Sequence, residues 1–274
     1  MCVNSKFCQG IFFIHDPKKN DSVNTRFNIQ KIYNPEEFSM YDYIPPSHYE
    51  YVVGATNDSK DSYELGTGVN RKRLAENLKI RILDKIKQLD GWCSDFKAGT
   101  LMELVWLMQP QVVVEVGVFG GKSLVPMAFA LKALGSGVAY GIDPWSAGAS
   151  AEGMDGANKD WWGSLDHAAI LAKLEGKITL FGLNDYVQLV QATSEDAAEI
   201  PNIDILHIDG NHSNDASYYD ALKWVPLVRR GGMIIFDDIT WGTTERATEW
   251  LDENCVRVIT MKDVENEWAI WVKS

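Results

Sequence analysis

Cysteine is scarce in this sequence, with 4 residues in 274. The four positions have neither the Cys-x-x-Cys spacing nor the cysteine–histidine pairing of zinc sites. We therefore interpret Cys2, Cys8, Cys93 and Cys255 as free thiols of a reducing compartment, with a Cys2–Cys8 disulfide as the alternative.

Long apolar runs are also missing. No segment approaches the ~18 consecutive apolar residues that a membrane span needs. The chain does not open with a basic stretch followed by an apolar segment, as a secretory signal would. The sequence therefore predicts a cytoplasmic protein with no membrane partner.

Positive charge is in short supply. The chain has 26 basic and 38 acidic residues and a formal net charge of −12. Residues 101–274 carry 12 of the basic groups and 25 of the acidic ones. Such a surface repels a phosphate backbone, which argues against nucleic acid as a partner, whereas a bound divalent cation is compatible with it. With 46% hydrophobic residues, the chain can form a sizeable core.

The N-terminal part has little regular pattern. Residues 1–66 are rich in Asn, Asp, Tyr and Pro, which predicts irregular chain. Apolar spacing predicts helices over 70–89 and 99–108. We divide the chain into an N-terminal extension, residues 1–98, and a main domain, residues 99–274. The extension is expected to close the site or to form a contact in a homo-oligomer.

After Pro110, short apolar runs alternate with helical patterns. The predicted strands are residues 112–116, 138–142, 187–191, 203–208, 233–236, 256–261 and 267–272. The predicted helices are residues 122–134, 164–174, 217–228 and 243–253. This order predicts an α/β fold with a Rossmann-like, doubly wound, mostly parallel sheet. The last two strands, joined by a polar turn, predict an antiparallel hairpin at its edge.

A glycine loop, EVGVFGGKS over residues 115–123, follows the first of these strands. A dinucleotide-binding GxGxxG motif would need glycine in place of Phe119 and Lys122. A phosphate-binding P-loop matches at the end of the segment, but Val116 replaces its first glycine and Glu115 would repel a polyphosphate. An acidic-x-Gly-x-x-x-Gly loop suits S-adenosylmethionine (SAM), which has a cationic end and no phosphate. A glycine turn without a ligand is the remaining alternative.

Two further positions point to a nucleoside. Asp143 ends the second predicted strand, where an acidic residue can accept hydrogen bonds from ribose hydroxyls. A ribose occurs in both NAD and SAM, and a plain turn residue is the alternative. Ser194 lies in the segment TSED, residues 193–196, which predicts a helix cap that could also reach an adenine edge.

Acidic residues follow the next two strands. Asp209 and His212 lie in the segment HIDGNH, and Asp237 and Asp238 end the segment FDD. The carboxyl ends of neighbouring parallel strands share one sheet edge, so these carboxylates would repel one another without a cation between them. Oxygen ligands suit Mg²⁺, Mn²⁺ or Ca²⁺. Asp209, Asp237 and Asp238 therefore predict a metal site, His212 a general base, and His207 a structural histidine.

These motifs together resemble those of a known family. The segments DILHIDGNH (204–212), DALKWVPLVRRGG (220–232) and IFDD (235–238) are similar to those of class I SAM-dependent methyltransferases. Within that class the resemblance is to metal-dependent O-methyltransferases, which include catechol, caffeoyl-CoA and macrolide-sugar enzymes. It is closest to macrocin-type sugar O-methyltransferases and cephalosporin-hydroxylase-like proteins, and it covers about residues 100–274.

The resemblance implies a role for each matched position. The residues implied to contact SAM are Glu115, Gly117, Gly121, Ser123, Asp143, Ser194 and Asp209. Glu115 would contact the methionine amino group, Ser123 the carboxylate and Asp143 the ribose. The implied metal ligands are Asp209, Asp237 and Asp238, with Mg²⁺ as the expected ion. His212 stands where catechol-type members have a catalytic lysine, as in the sugar-modifying members.

The implied reaction is O-methylation of a small-molecule hydroxyl. The metal would chelate two neighbouring oxygens of a sugar diol or a catechol, and His212 would take the proton. Residues 146–163 read as a loop or lid whose Trp161 and Trp162 stack on the acceptor or pack within the lid. Two alternatives stay open: a hydroxylase-like relative with different chemistry, and a binding subunit without turnover.

Overall fold

The structure is a computed structural model that describes residues 27–30, 52–55, 74, 76–154, 156–263 and 267–274. Two compact units divide the chain, residues 1–72 and 73–274. In the first unit, strands β1 (Phe27–Gln30) and β2 (Val52–Ala55) pair antiparallel, a strand pair that the sequence pattern did not predict. The positions of Cys2 and Cys8 lie outside the described residues.

The second unit alternates strands and helices. Its helices are α1 (Glu76–Ile86), α2 (Asp95–Met108), α3 (Leu124–Leu134), α4 (Ala147–Ser150), α5 (Gly156–Ser164), α6 (His167–Leu180), α7 (Asn214–Trp224) and α8 (Glu245–Asn254). Its strands are β3 (Val112–Val116), β4 (Val138–Asp143), β5 (Val187–Gln191), β6 (Ile203–Ile208), β7 (Val228–Phe236), β8 (Cys255–Lys262) and β9 (Glu267–Lys273). A 3-10 turn, Val225–Leu227, joins α7 to β7.

The seven strands form one sheet in the order β5-β4-β3-β6-β7-β9-β8. The first five are parallel, and β9 pairs antiparallel with both β7 and β8. This confirms the predicted Rossmann-like sheet with its C-terminal antiparallel hairpin. The carboxyl ends of β5, β4, β3, β6 and β7 therefore stand side by side at one edge, and the residues of the predicted site lie at these strand ends or in the segments that follow them.

Apolar side chains cover both faces of the sheet. One cluster joins α1, α2, α3 and α6 to the sheet, and the other joins α7 and α8 to it. Strand β3 is buried along almost its whole length, as its continuous valine-rich run predicted. Leu74 and Ile82 belong to the first cluster, and the compact unit that contains the sheet spans residues 73–274. The predicted domain boundary at residue 99 stays a prediction.

Two local predictions were wrong. Residues 146–163 hold helices α4 and α5 rather than a loop; neither helix buries a side chain, so no apolar stripe marks them in the sequence. Residues 193–196 form a turn in which Thr193 Oγ1 accepts a 3.0 Å hydrogen bond from the amide of Asp196, and no helix follows it. In the described part of the chain, none of the helices is long and apolar enough to cross a membrane.

Candidate functional site

The glycine loop is held at the carboxyl end of β3 by its neighbours. The amide of Gly117 donates to Ile142 O (2.9 Å), and Gly117 has a φ of +85°. One carboxylate oxygen of Asp143 accepts hydrogen bonds from the amides of Val118 (3.0 Å) and Phe119 (2.9 Å). Asp143 therefore fixes the shape of the loop, and its contact with a ribose stays a prediction.

Glu115 and Ser123, the residues expected to meet the methionine end of SAM, contact each other. Ser123 Oγ donates to Glu115 Oε1 at 2.7 Å, and both side chains are buried. The other oxygen of Glu115 lies 3.3 Å from His207 Nδ1. In this structure the two side chains lie beneath the glycine loop, so their contact with SAM remains a prediction.

Beneath the sheet edge lies a buried lysine that the sequence analysis missed. Lys97, in the first turn of α2, is 1% exposed and its ammonium forms an ion pair with Asp237. The same Nζ lies 3.6 Å from Asp209 Oδ2. Lys97 and Leu101 share one face of α2 at helical spacing. A charged residue on an otherwise apolar helix face was therefore the sequence signal that could have identified Lys97 as buried.

Asp237, one of the three predicted metal ligands, is paired with other side chains in this structure. One of its oxygens is paired with Lys97, and the other faces the buried His207, whose Nε2 is 3.6 Å away. Although burial raises the pKa of Asp237, Lys97 and His207 hold it well below its usual range. Both oxygens thus already face cationic or imidazole groups. His207, Asp209 and Asp237 lie close enough together to hold a metal ion, but Lys97 is paired with Asp237, so the predicted set of Asp209, Asp237 and Asp238 stays a prediction.

The open part of the acidic cluster is formed by Asp209, His212 and Asp238. His212 Nε2 lies 3.0 Å from Asp238 Oδ2 and 3.5 Å from Asp209 Oδ1. All three side chains are partly exposed, and their ligand atoms lie close enough together to hold a metal ion. Trp241 packs edge-on against the imidazole, with ring centroids 5.4 Å apart. This histidine and these two carboxylates are the partly exposed reactive groups of the cluster.

The two carboxylates set the charge of His212. Burial lowers the pKa of the imidazole, but hydrogen bonds and charge from Asp209 and Asp238 outweigh it and raise the pKa to about 10. Without ligands, His212 is therefore protonated at neutral pH. The ordinary pKa of an imidazole is ~6.5, so the tertiary neighbours shift proton uptake by His212 to alkaline pH.

Asp220 is a second residue that the sequence analysis left without a role. It is buried in α7 beneath the loop after β6, and a Cβ on Gly210 would lie 3.0 Å from its Oδ2. Burial raises the pKa of Asp220 to about 7, although a hydrogen bond with Ser194 lowers it. Lys223 of the same helix donates to the carbonyl of Ser194 at 2.7 Å. Helix α7 thus positions the turn expected to face adenine.

We expect Asp220→Asn to stabilise the protein at alkaline pH. The pKa of Asp220 is about 7 in the folded state and ~3.9 when unfolded, so wild type loses stability as pH rises from ~4 to ~7. Asparagine carries no charge to bury. The free energy of unfolding of Asp220→Asn at pH 8 should therefore exceed that of wild type by about 2 kcal/mol. Urea unfolding at pH 5 and pH 8 measures this.

The matched control is Asp215→Asn, an exposed aspartate on the same helix. It should change stability by less than about 0.5 kcal/mol at either pH. Equal stability of Asp220→Asn and wild type at pH 8 would contradict the assignment of a buried, costly carboxylate.

An aromatic cluster, defined by Trp92, Phe119, Trp161 and Trp162, lies against the glycine loop. Trp92 stacks on Phe119 with centroids 5.6 Å apart, and Trp161 meets Trp162 edge-on at 4.9 Å. Trp92 and Trp161 remain exposed. A cavity of about 630 Å³ opens beside them, with Asp90, Asp166 and Lys173 at its wall. Trp161 and Trp162 thus come from α5, and Trp92 comes from the segment before α2.

The segment containing α4 is tied to the loop after β6. The side-chain amide of Asn211 donates to Glu152 O at 2.7 Å. A Cβ on Gly153 would lie 3.0 Å from the Ser213 side chain. Residues 146–163 therefore connect the end of β4 with the loop after β6, which contains His212, and with the aromatic cluster.

Comparison with known proteins agrees with this geometry. Residues 114–239 match the model of a methyltransferase domain family. A caffeoyl-CoA O-methyltransferase of Stellaria longipes is 26% identical over 173 residues, which cover 61% of this chain and 64% of the relative. The chain thus spans slightly less than two thirds of that relative's length. The family match contains the glycine loop and the acidic cluster.

Solved structures share the fold. TomG, an O-methyltransferase from Streptomyces achromogenes in complex with SAM, is 16% identical with a TM-score of 0.53, over 72% of this chain and 89% of that one. An O-methyltransferase from Bacillus cereus in complex with SAH is 16% identical with a TM-score of 0.51, over 72% and 90%. The second unit therefore has a Rossmann-like methyltransferase fold.

Proposed function

We propose that this protein transfers a methyl group from SAM to a hydroxyl of a small molecule. The observation that carries the proposal is the position of the Asp209–His212–Asp238 cluster next to the glycine loop, at one edge of a methyltransferase-type sheet. Gly117 would contact Asp209 O within 2.1 Å if it had a Cβ, so loop and cluster are in direct backbone contact. The three relatives named above are O-methyltransferases by name, which supports the same reaction.

The residues at this edge have separate roles in a single displacement reaction. The glycine loop, with Gly117 and Gly121, would carry SAM, and Asp143 and Ser194 would lie towards its nucleoside. The acceptor oxygen attacks the sulfonium methyl, the sulfur–carbon bond breaks, and the products are S-adenosylhomocysteine and a methyl ether. The hydroxyl proton goes to His212 Nε2, which Asp209 and Asp238 orient.

A divalent cation is the second arrangement that the cluster could support. Asp209, His212 and Asp238 would hold it, with Mg²⁺ as the expected ion. When bound, it would lower the pKa of the acceptor hydroxyl. His212 would then donate its lone pair to the ion and would no longer serve as the base. The two roles of His212 exclude each other.

We propose a ring-containing acceptor, a sugar or catechol-like diol, that reaches the Asp209–His212–Asp238 cluster from the side of the aromatic cluster. Exposed indole rings such as Trp92 and Trp161 stack on sugar and aromatic rings. Natural-product or glycan biosynthesis is the corresponding context. A cytoplasmic location, a homo-oligomer and the absence of nucleic-acid and membrane partners belong to the same proposal. Hydroxylase-like chemistry on this fold, or binding without turnover, would replace it if methyl transfer fails.

Calorimetric titration with SAM tests the cofactor first. We expect one SAM per chain, with Asp143→Ala weakening the affinity at least about tenfold, because two loop amides lose their acceptor. Asp185→Ala, an exposed aspartate before β5, is the control and should bind like wild type. Absence of SAM binding by wild type, with and without Mg²⁺, would overturn the proposed function.

A further inference from the structure

The acidic cluster already contains a cation that belongs to the chain. Lys97 Nζ pairs with Asp237 and lies 3.6 Å from Asp209 Oδ2, between the ends of β6 and β7. Its side chain is 1% exposed. Trp268 closes the position from the neighbouring strand β9, with the ammonium 6.0 Å from the ring centroid. A divalent ion shared by Asp209 and Asp237 would have to occupy the place of this ammonium.

The ammonium of Lys97 offsets part of the negative charge of the cluster without an added ion. Asp209 and Asp237 face Lys97 directly, and two further carboxylates of the cluster, Glu115 and Asp238, contact the imidazoles beside them. His207 lies between Glu115 and Asp237, and His212 lies between Asp209 and Asp238. The repulsion that predicted a metal ion from the sequence is thus relieved by a helix that precedes the sheet. A like-charged cluster needs a cation, and an ammonium satisfies that need.

We propose that the ammonium of Lys97 is the resident cation of this cluster in place of a divalent metal ion, and that the protein needs no such ion. The inference deepens the proposed function, on which it rests for the reaction itself. Lys97 acts as a positioning residue: it holds Asp237 and turns Asp209 towards His212. An ammonium that is buried cannot chelate two acceptor oxygens. The acceptor therefore needs one hydroxyl in line with the methyl group rather than a vicinal pair.

Manganese binding tests the proposal without a known acceptor. Wild type, freed of metal by a chelating resin, is titrated with Mn²⁺ and followed by electron paramagnetic resonance, and its Tm is measured with and without millimolar Mn²⁺. We expect no saturable binding and no change in Tm. Lys97→Met should lower the Tm by about 10 °C, because it leaves buried carboxylates unpaired. It should also gain one saturable Mn²⁺ site that restores part of the lost Tm.

Lys79→Met is the matched control. Lys79 is also a buried lysine, paired with Glu103 on α2, but it lies outside the acidic cluster. This variant should lose stability and gain no Mn²⁺ site. If Lys97→Met does not fold, Lys97→Gln takes its place, and the wild-type titration still decides.

Two outcomes would overturn the proposal. One is saturable Mn²⁺ binding to wild type that Asp238→Asn abolishes, which would assign the ion to the open cluster. The other is a folded Lys97 variant that gains no Mn²⁺ site. The ammonium of Lys97 in wild type would then not occupy the position of an ion. SAM calorimetry on the same samples separates the proposals: lost SAM binding overturns the proposed function, whereas the Mn²⁺ data alone decide the role of Lys97.

Discussion

Replacing His212 with alanine is expected to slow methyl transfer by about 10²–10⁴-fold while SAM binding stays intact. The imidazole is a group of the open cluster that can accept a proton, and its Nε2 lies 3.0 Å from Asp238 Oδ2. Conversion of SAM to S-adenosylhomocysteine, with a small catechol as acceptor, measures the rate. Calorimetry measures the binding of SAM separately.

His212→Gln separates proton transfer from hydrogen bonding. Glutamine can still donate a hydrogen bond to Asp238 but cannot take a proton. The His212→Gln variant should therefore transfer methyl groups about as slowly as His212→Ala. The wild-type rate should rise with pH by about tenfold per unit between pH 7 and 9, because the base must lose its proton first and the pKa of His212 is about 10. A His212→Gln variant with wild-type turnover, or a flat pH profile, would rule out His212 as the base.

Gly117→Ala is expected to lower the free energy of unfolding by about 4 kcal/mol and to abolish SAM binding. Gly117 has a φ of +85°, which an alanine adopts only with strain. Its Cβ would also lie 2.1 Å from Asp209 O and 2.5 Å from Gly210 Cα. Both contacts are backbone atoms, so no side-chain rotation can relieve them. The strand ends of β3 and β6 would have to separate, and Asp209 would move with them.

Gly176→Ala is the control for this substitution. Gly176 is exposed in the middle of α6, and a Cβ there would meet nothing within 4 Å. It should stabilise the protein by about 0.5–1 kcal/mol, since alanine favours a helix. Urea unfolding of both variants, with SAM calorimetry, gives the comparison. A Gly117→Ala variant as stable as wild type would contradict the close packing of glycine loop and acidic cluster.

The sequence by itself determined the architecture of the second unit and the edge of the sheet that carries the candidate site. Continuous runs of β-branched residues such as 112–116 are typical of strands buried on both faces, and the helical spacing between them favours a parallel sheet with helical crossovers. Because parallel strands share one carboxyl edge, the glycine loop, Asp143, Asp209 and Asp238 had to meet there. Local sequence patterns and the sheet topology that they imply are sufficient to place these residues together.

Pairings between distant side chains were decided by the tertiary structure alone. Lys97 and Asp237 are 140 residues apart in the chain, and no local pattern links them. The sequence could place three carboxylates together and show that a cation was needed, but not that α2 would supply it. The raised pKa of His212 likewise follows from Asp209 and Asp238 closing on one ring. Packing fixes both results, because ion pairs and pKa values depend on distance and burial rather than on spacing along the chain.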